Sequence, residues 1–405
     1  MTHIDPHHLH TVGERAQAIM ERQQIDVLVA SSPENFYYLS GYPSAFLYTL
    51  RMSDIGLAVM FRDPARKTLL IMSDFEAAGV PEHLPCEVRT YPTWVDVDDP
   101  LALREGIYTG GRPVVPQVKE MFGVLSDVLS EYSLAKGKAA VEFSQMRYPA
   151  VLALQEICSS LQCVDASGIF SELRAIKTDW EVEQLRKACA YTETCIEQTV
   201  AGIGPGVMAA ELVQRFRTAV EGLGSGATPR FHMISAGSLF APVEQYDTAP
   251  AEKGDLIKFD VGIDVNGYGS DIARTFVIGP SSALIDRIYS ALRAGHDHLL
   301  QSAEPGLPMS RLFDEAKTVI RQTGLENYNR GHLGHSVGLG LSAEEPPFIS
   351  PSETTLLAPG MVLCLETPYY AYGIGSIMIE DMIVITDSGS ERLNRLSRDL
   401  ISIPT

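Results

Sequence analysis

Five residues of types that bind metal ions follow one another in the second half of the chain. They are two aspartates, one histidine and two glutamates: Asp260, Asp271, His335, Glu366 and Glu380. Any one of them alone has an ordinary structural interpretation, but five in this order, each in or beside an apolar segment, favour a metal site. Oxygen donors with one imidazole suit first-row divalent ions better than a structural zinc, which prefers cysteine and histidine. Four carboxylates also offset the charge of two such ions and leave room for a bridging hydroxide.

The two aspartates lie in a segment with the pattern of a β-hairpin. Residues 258–276 contain two apolar runs separated by Asn266-Gly267, a dipeptide typical of a two-residue turn because both positions need a positive φ. With this turn, Gly262 pairs with Asp271. Asp260 is then the diagonal neighbour of Asp271 on the same face, with the two Cα atoms about 7–8 Å apart. Two acids so placed repel each other unless a cation lies between them.

The other three residues are expected on separate strands. His335 lies between glycines in the segment GHSVG, which allows the backbone to come close. Glu366 and Glu380 each lie in an apolar strand, and a hairpin through residues 370–375 would bring them face to face. Cys364 would point to the same face as Glu366, although a buried thiol is its simpler interpretation. Two metal ions about 3.5–4 Å apart can activate a water molecule and hold the oxygen of a scissile amide, which points to hydrolysis.

The order of these residues resembles the family of methionine aminopeptidases, Xaa-Pro peptidases (prolidases) and creatinases, which have the pita-bread fold. The resemblance rests on an aspartate, a second aspartate eleven residues later, then Gly-His, then a glutamate, then Glu-Asp, and it covers about residues 174–403. It implies a metal-dependent hydrolase that cleaves an amide C–N bond, with Xaa-Pro dipeptidase as the nearest named activity. It also implies a homodimer, and a small-molecule or dipeptide substrate.

Carried over residue by residue, the resemblance implies that Asp260 binds one of two metal ions. His335 and Glu366 would bind the other ion. Asp271 and Glu380 would bridge the two. The ions would be Mn, Co, Fe or Zn, since oxygen-rich ligands admit all four.

Three residues form the expected catalytic set. Glu366 is expected to move the proton, and His335 belongs to the set as a ligand. His332 lies close to His335 but one residue away from the usual family position. We therefore expect His332 to support the ligands rather than to be one of them.

Three positions depart from the peptidase pattern. Pro242 stands eighteen residues before Asp260, where peptidases of the family have a further histidine. Ser342 stands seven residues after His335 in place of a second histidine, and Met378 stands where Xaa-Pro peptidases often have arginine. The usual residues position the substrate and move protons, a role for which histidine suits neutral pH. The substrate is therefore the least determined property.

Two alternatives to a peptidase stay open. One is a metal-dependent hydrolase or lyase of a small non-peptide metabolite, similar to creatinase, ectoine hydrolase or DMSP lyase. The other is a catalytically silent binding protein on the same fold, which would bind no stoichiometric metal. A decayed enzyme is expected to lose ligands at random, whereas all five remain here.

The elements that must position these residues indicate two domains. At 405 residues the chain is long enough for two cores, and we expect domains at 1–168 and 169–405. In the first, strand and helix signals alternate, which predicts an α/β domain with a mixed sheet, similar in outline to the N-terminal domain of creatinases. The second is predicted to be α+β, with two helix pairs, each followed by strands. The predicted helices are 179–203, 207–223, 283–302 and 309–323.

The remaining histidines have simpler interpretations. His296 and His298 lie in the middle of a predicted helix and are expected on its surface. The N-terminal histidines are expected in a solvated, frayed arm. His232 begins a strand near Pro242 and is a candidate for the missing imidazole.

Bulk properties exclude several functions. A net charge of −19 argues against binding nucleic acids or an anionic membrane surface. Neither a membrane span nor a secretory signal is expected, because no long apolar run and no basic-then-apolar N-terminus occurs. The six cysteines form no Cys-x-x-Cys pair, which suits a reducing cytoplasm.

Overall fold

The computed structural model describes residues 4–52, 54–95, 111–115, 117–224, 226–238, 250–340 and 343–405. Pro242 and Ser342, two of the positions that depart from the peptidase pattern, lie outside the described residues. The chain divides into two compact units, the first ending at Leu173 and the second formed by Arg174–Thr405. The domain bounds 1–168 and 169–405 stay a prediction.

The first unit mixes helices and strands along the chain. Its described helices are α1 Pro6–Gln23, α2 Pro33–Ser40, α3 Ala45–Tyr48, α4 Asp74–Ala77, α5 Val118–Glu131 and α6 Tyr148–Ile157. Its described strands are β1 Val27–Ala30, β2 Leu57–Phe61, β3 Thr68–Ser73, β4 Cys86–Tyr91, β5 Lys138–Val141 and β6 Gln162–Asp165. The sheet order is β4-β3-β2-β1-β5-β6, and β1 is antiparallel to β2 but parallel to β5. The predicted mixed sheet is confirmed.

His7, His8 and His10 do not lie in a frayed arm, and His3 lies outside the described residues. The three belong to α1, which begins after Asp5, whose side chain accepts a hydrogen bond from the backbone N–H of His7. His8 lies on the buried face of α1, and burial lowers its pKa to about 4. The expectation was wrong because the cap and the proline at the first helical position start the helix early.

The second unit is α+β, as predicted. Helix α7 Ser167–Ala175 runs across the division, and the helices that follow are α8 Asp179–Val200, α9 Ala209–Gly222, α10 Ala283–Ser302 and α11 Met309–Gln322. The described strands are β7 Ala227–His232, β8 Ser235–Ala236, β9 Leu256–Val265, β10 Tyr268–Gly269, β11 Ile272–Ile278, β12 Gly334–Ser336, β13 Glu345–Phe348, β14 Val362–Glu366, β15 Tyr369–Ala371, β16 Gly375–Ile377, β17 Glu380–Thr386, β18 Gly389–Arg392 and β19 Ile401–Ile403.

One long sheet forms the centre of this unit. Its main path is β10-β9-β11-β17-β14-β12-β13, and β15 pairs with β16 in a separate hairpin. The apolar sides of α10 and α11 pack on the strands β14 and β17. In α11, for example, Met309, Leu312, Phe313, Ala316 and Ile320 recur at helical spacing and are all buried. None of the helices in the described part of the chain is long and apolar enough to cross a membrane.

His296 is buried in α10 rather than exposed, so the surface expectation for it was wrong. It lies on the same side of the helix as Leu292 and Leu299, which face the sheet. Its Nε2 lies 3.0 Å from the carbonyl oxygen of Leu365, and burial lowers its pKa to about 4. His298, two residues on, is partly exposed beside Glu315.

Candidate metal centre

The register of four neighbouring strands gathers carboxylates on one face of the sheet. Asp260 in β9 pairs with Ala273 in β11, which pairs with Glu380 in β17, which in turn pairs with Glu366 in β14. Paired residues on neighbouring strands point to the same face. Asp271 lies two positions before Ala273 and shares that face. The predicted face-to-face pairing of Glu366 and Glu380 is confirmed, and these four acids are called the carboxylate cluster below.

The hairpin that carries the two aspartates has the predicted register. Asn266 and Gly267 have φ values of 54° and 86°, as their turn requires. Val265 pairs with Tyr268, and the same register continues at the pair of Val261 and Ile272. The hairpin therefore places Asp271 opposite Gly262, as predicted.

His335 completes the site from β12. It pairs with Cys364 in β14, and Gly334 before it has a φ of 153°. A Cβ atom at Gly334 would lie 2.2 Å from the carbonyl oxygen of Cys364, so only glycine allows this approach. The Nδ1 atom of His335 lies 3.0 Å from the Ser336 carbonyl oxygen, which can only accept a hydrogen bond. Nδ1 therefore carries the proton, and Nε2 keeps its lone pair for the site.

The arrangement of donor atoms fits a divalent metal ion. Nε2 of His335 lies 3.7 Å from Asp271 Oδ2 and 3.5 Å from Glu380 Oε1. Ligand atoms of Asp271, His335, Cys364 and Glu380 lie within 4.8 Å of one another. Among the described residues, no N–H or O–H donor reaches Asp271 Oδ1 or either carboxylate oxygen of Glu380, although all three atoms are buried. Buried acceptors without donors are costly, and a cation would satisfy them.

Electrostatics leads to the same conclusion for the inner pair of carboxylates. Burial, together with neighbouring Glu380, raises the pKa of Asp271 well above its ordinary value. Burial and neighbouring Glu366 do the same for the pKa of Glu380. Packing such groups together without a cation favours their neutral forms. A metal ion that keeps them ionised would remove this penalty.

Glu366 has a different environment, formed by the side chains of Arg330 and His332. Its Oε2 accepts a hydrogen bond from Arg330 Nη2 at 2.7 Å, and its Oε1 lies 3.1 Å from His332 Nδ1. Burial alone would raise the pKa of Glu366, but His332, Arg330 and His335 together lower it to about 2. Glu366 is thus an ionised carboxylate. His332, as predicted, contacts a member of the proposed ligand set, and it also lies 3.7 Å from Glu344 Oε2 through Nε2.

The sequence interpretation missed two cations of this site. Lys258 is fully buried with its Nζ 3.0 Å from Asp260 Oδ2, and Arg330 contacts Glu366. A signal existed for Lys258, because a residue two positions before Asp260 in a strand shares its face. Arg330 carried no such signal, since it precedes β12 and reaches Glu366 through space.

Met378 is the one departure from the peptidase pattern that lies within the described residues. Its side chain is buried two residues before Glu380. Its sulfur lies 3.6 Å from the hydroxyl oxygen of Tyr370. An apolar side chain therefore occupies the position at which arginine was expected by resemblance.

His232 does not supply an imidazole to the site. It pairs with Val261, whose side chain points to the face opposite Asp260. Its ring contacts Arg217 of α9 instead.

Comparison with known proteins identifies the family. The model of metallopeptidase family M24 matches residues 183–387, and that of the creatinase/prolidase N-terminal domain matches residues 14–176. The chain belongs to metallopeptidase family M24. It is therefore a metal-dependent hydrolase, and the two-part fold predicted from the resemblance, a creatinase-like N-terminal domain before a pita-bread domain, is confirmed.

Relatives of known name agree with this membership. The chain is 31% identical to the Xaa-Pro dipeptidase of Pyrococcus furiosus over 235 residues, which is 58% of this chain and 67% of that protein. It is 28% identical to the Xaa-Pro dipeptidase of Pyrococcus horikoshii over 64% of this chain and 73% of that protein. Among solved structures, the prolidase from Pyrococcus horikoshii matches with a TM-score of 0.78 at 23% identity, covering 96% of this chain and 100% of that one. The dipeptidase PepE from Mycobacterium ulcerans matches with a TM-score of 0.81 at 22% identity over the full length of both chains.

Proposed function

We propose that this protein hydrolyses the amide bond of Xaa-Pro dipeptides. The names of the related dipeptidases support this substrate class. The observation that carries the proposal is the carboxylate cluster with His335, in which buried acceptor atoms without donors surround a position for a cation. When bound, divalent ions supply an activated water molecule and polarise the carbonyl group of the substrate.

The proposed ligands are the five residues predicted from the sequence. Asp271 and Glu380 lie at the centre and would be shared between two adjacent metal positions. His335 and Glu366 would complete one position, and Asp260 would complete the other. Mn, Co, Fe and Zn all suit such donors.

Protons are proposed to move along Glu366 and His332. Because the pKa of Glu366 is lowered to about 2, its carboxylate is ionised before the reaction and can accept a proton at Oε1. His332 Nδ1 lies 3.1 Å from this atom, and its Nε2 lies 3.7 Å from Glu344 Oε2. Glu366 would return this proton to the nitrogen of the departing amine, and His332 would exchange protons between Glu366 and Glu344, which is about half exposed.

A second candidate function is hydrolysis or lysis of a small non-peptide metabolite. One observation favours it: the buried Met378 beside Tyr370 offers no charge for the carboxylate of a dipeptide. On this alternative, metal binding would be unchanged and only the substrate would differ.

Turnover of dipeptides by metal-loaded protein tests the proposal. Protein purified without chelators, and then loaded with Mn²⁺ or Co²⁺, should hydrolyse Gly-Pro, Ala-Pro or Leu-Pro. Glu380→Gln should lose at least about 100-fold of this activity, because it removes a proposed shared ligand. The control Glu391→Gln, at an exposed ion pair with Arg186, should retain it.

The possible outcomes separate the candidates. Absence of dipeptide turnover in metal-loaded protein, together with turnover of a small amide in a screen, would replace the first candidate by the second. A protein that binds no divalent metal would contradict both and favour the silent binding protein.

A further inference from the structure

A buried lysine shares the face of the sheet with the proposed metal ligands. Lys258 lies two positions before Asp260 in β9, so the two side chains point the same way. Its Nζ lies 3.0 Å from Asp260 Oδ2, and its side chain is fully buried. Lysine is almost never fully buried unless it is paired. The site therefore has a cation of its own, in contact with one proposed ligand.

Positive charge is distributed unevenly over the carboxylate cluster. At one end Asp260 pairs with Lys258, and at the other Glu366 pairs with Arg330. The two central acids, Asp271 and Glu380, form no ion pair with a lysine or arginine among the described residues, and the side-chain nitrogen within 4 Å of both is His335 Nε2. The demand for a metal cation is therefore concentrated at the centre and not at Asp260.

A charge count supports one ion rather than two. The four carboxylates carry four negative charges, and Lys258 and Arg330 already balance two of them. One divalent ion makes the buried site neutral, whereas two ions with a bridging hydroxide would leave an excess of one positive charge. Uncompensated charge in a buried site is strongly unfavourable.

We propose that Lys258 replaces, in charge and in position, the metal ion that Asp260 would otherwise bind. The protein then holds one divalent ion strongly, on Asp271, His335 and Glu380 with Glu366 beside them. A second ion binds Asp260 only after displacing the ammonium group. Its affinity is therefore at least about 100-fold lower than that of the first ion, by analogy with the effect of one neighbouring charge on an ionic equilibrium. The inference rests on the proposed function, because it takes the five residues as metal ligands.

Metal titration of the full-length protein and a Lys258→Met variant tests this inference. Methionine has nearly the length of lysine but carries no charge, so it keeps the packing and frees Asp260. Calorimetric titration of metal-free protein with Mn²⁺ should show one strong site in the wild type. In Lys258→Met it should show two sites with dissociation constants within about tenfold of each other. Lys317→Met, at an exposed lysine of α11 bonded to Asn329, is the matched control and should titrate as the wild type does.

A spectroscopic measurement keeps the test independent of the variant's folding. In the wild type loaded with two equivalents of Mn²⁺ and then dialysed, electron paramagnetic resonance should show isolated Mn²⁺. A spin-coupled pair should appear only in the variant. Circular dichroism checks that Lys258→Met is folded, and Lys258→Gln serves as a second neutral replacement.

Each result has one meaning. Two strong ions in the wild type, or a coupled pair there, would overturn the role of Lys258 but leave the proposed metal hydrolase intact. Titrations that are the same for wild type and for a folded Lys258→Met would also overturn it. Absence of Mn²⁺ and Co²⁺ binding in both proteins would instead overturn the proposed function.

Discussion

Replacing Asp381 by asparagine should lower the free energy of unfolding of the second unit by about 2 to 3 kcal/mol at neutral pH. Asp381 is fully buried beside Glu380 in β17, where it pairs with the fully buried Arg274 and accepts from Asn394. Arg274 Nη1 also donates to the carbonyl oxygen of Glu380 at 2.7 Å. This ion pair therefore joins β17 to β11 next to the carboxylate cluster.

The magnitude follows from the pKa of Asp381. Burial alone would raise this pKa, but Arg274, His296 and Asn394 together lower it from 3.8 to about 2. A difference of nearly two units corresponds to about 2.4 kcal/mol of stabilisation by the ionised form. Because the pKa is lower in the folded protein, this contribution is complete above the unfolded value of 3.8 and is lost as the pH falls through about 2.

Urea denaturation of metal-free protein, followed by tryptophan fluorescence, measures this effect in the second unit alone. The chain has two tryptophans, Trp94 in the first unit and Trp180 in α8. A Trp94→Phe background leaves Trp180, whose ring centroid lies 5.4 Å from that of Tyr268, as the reporter. The stability of Asp381→Asn is compared with its parent at pH 7 and at successively lower pH.

The difference between the two proteins should shrink on acidification, because asparagine does not titrate. Asp399→Asn, which removes an exposed aspartate paired with Arg293, is the control and should leave the transition in place. Equal stabilities of Asp381→Asn and its parent at pH 7 would refute the reasoning. A difference that stays constant down to pH 3 would refute it as well.

Three further outcomes are expected. Gly334→Ala should greatly weaken metal binding in a titration, because its Cβ would lie 2.2 Å from the Cys364 carbonyl oxygen, whereas Gly331→Ala has open space and should bind normally. His332→Gln should lower kcat by about 100-fold or more while leaving metal content unchanged, and equal kcat values would remove His332 from the proton path. Chelation should abolish turnover. Mn²⁺ added back at about 100 times its dissociation constant should raise the free energy of unfolding of the second unit by about 2.7 kcal/mol in the same urea assay. An unchanged urea transition would contradict metal binding to the folded protein.

Local sequence patterns predicted the frame of the site. The Asn266-Gly267 turn determines the register of its hairpin, because both residues have the positive φ that this turn needs. Once the register is fixed, the face to which each side chain points is fixed as well. The pairing of Glu366 with Glu380 followed in the same way from a short connection between two apolar strands. These predictions depended only on residues close together in the chain.

Features that depend on residues far apart in the chain were not predictable. Arg330 contacts Glu366 across 36 positions, and burial of His296 follows from the packing of α10 against the sheet. The face of the sheet to which Lys258 points was predictable, since residues 258, 260 and 262 of a strand share one face. Nothing local indicated that its ammonium group would contact Asp260.

Metal content per chain, measured by elemental analysis of protein purified without chelators or affinity metals, is the most direct test of the proposed centre. We expect at least one divalent ion per chain in the wild type. We expect the ion to be lost in Asp271→Asn and kept in Glu391→Gln. Wild-type protein with a content near zero that neither Mn²⁺ nor Co²⁺ restores would contradict the metal centre, and with it the proposed hydrolysis of dipeptides.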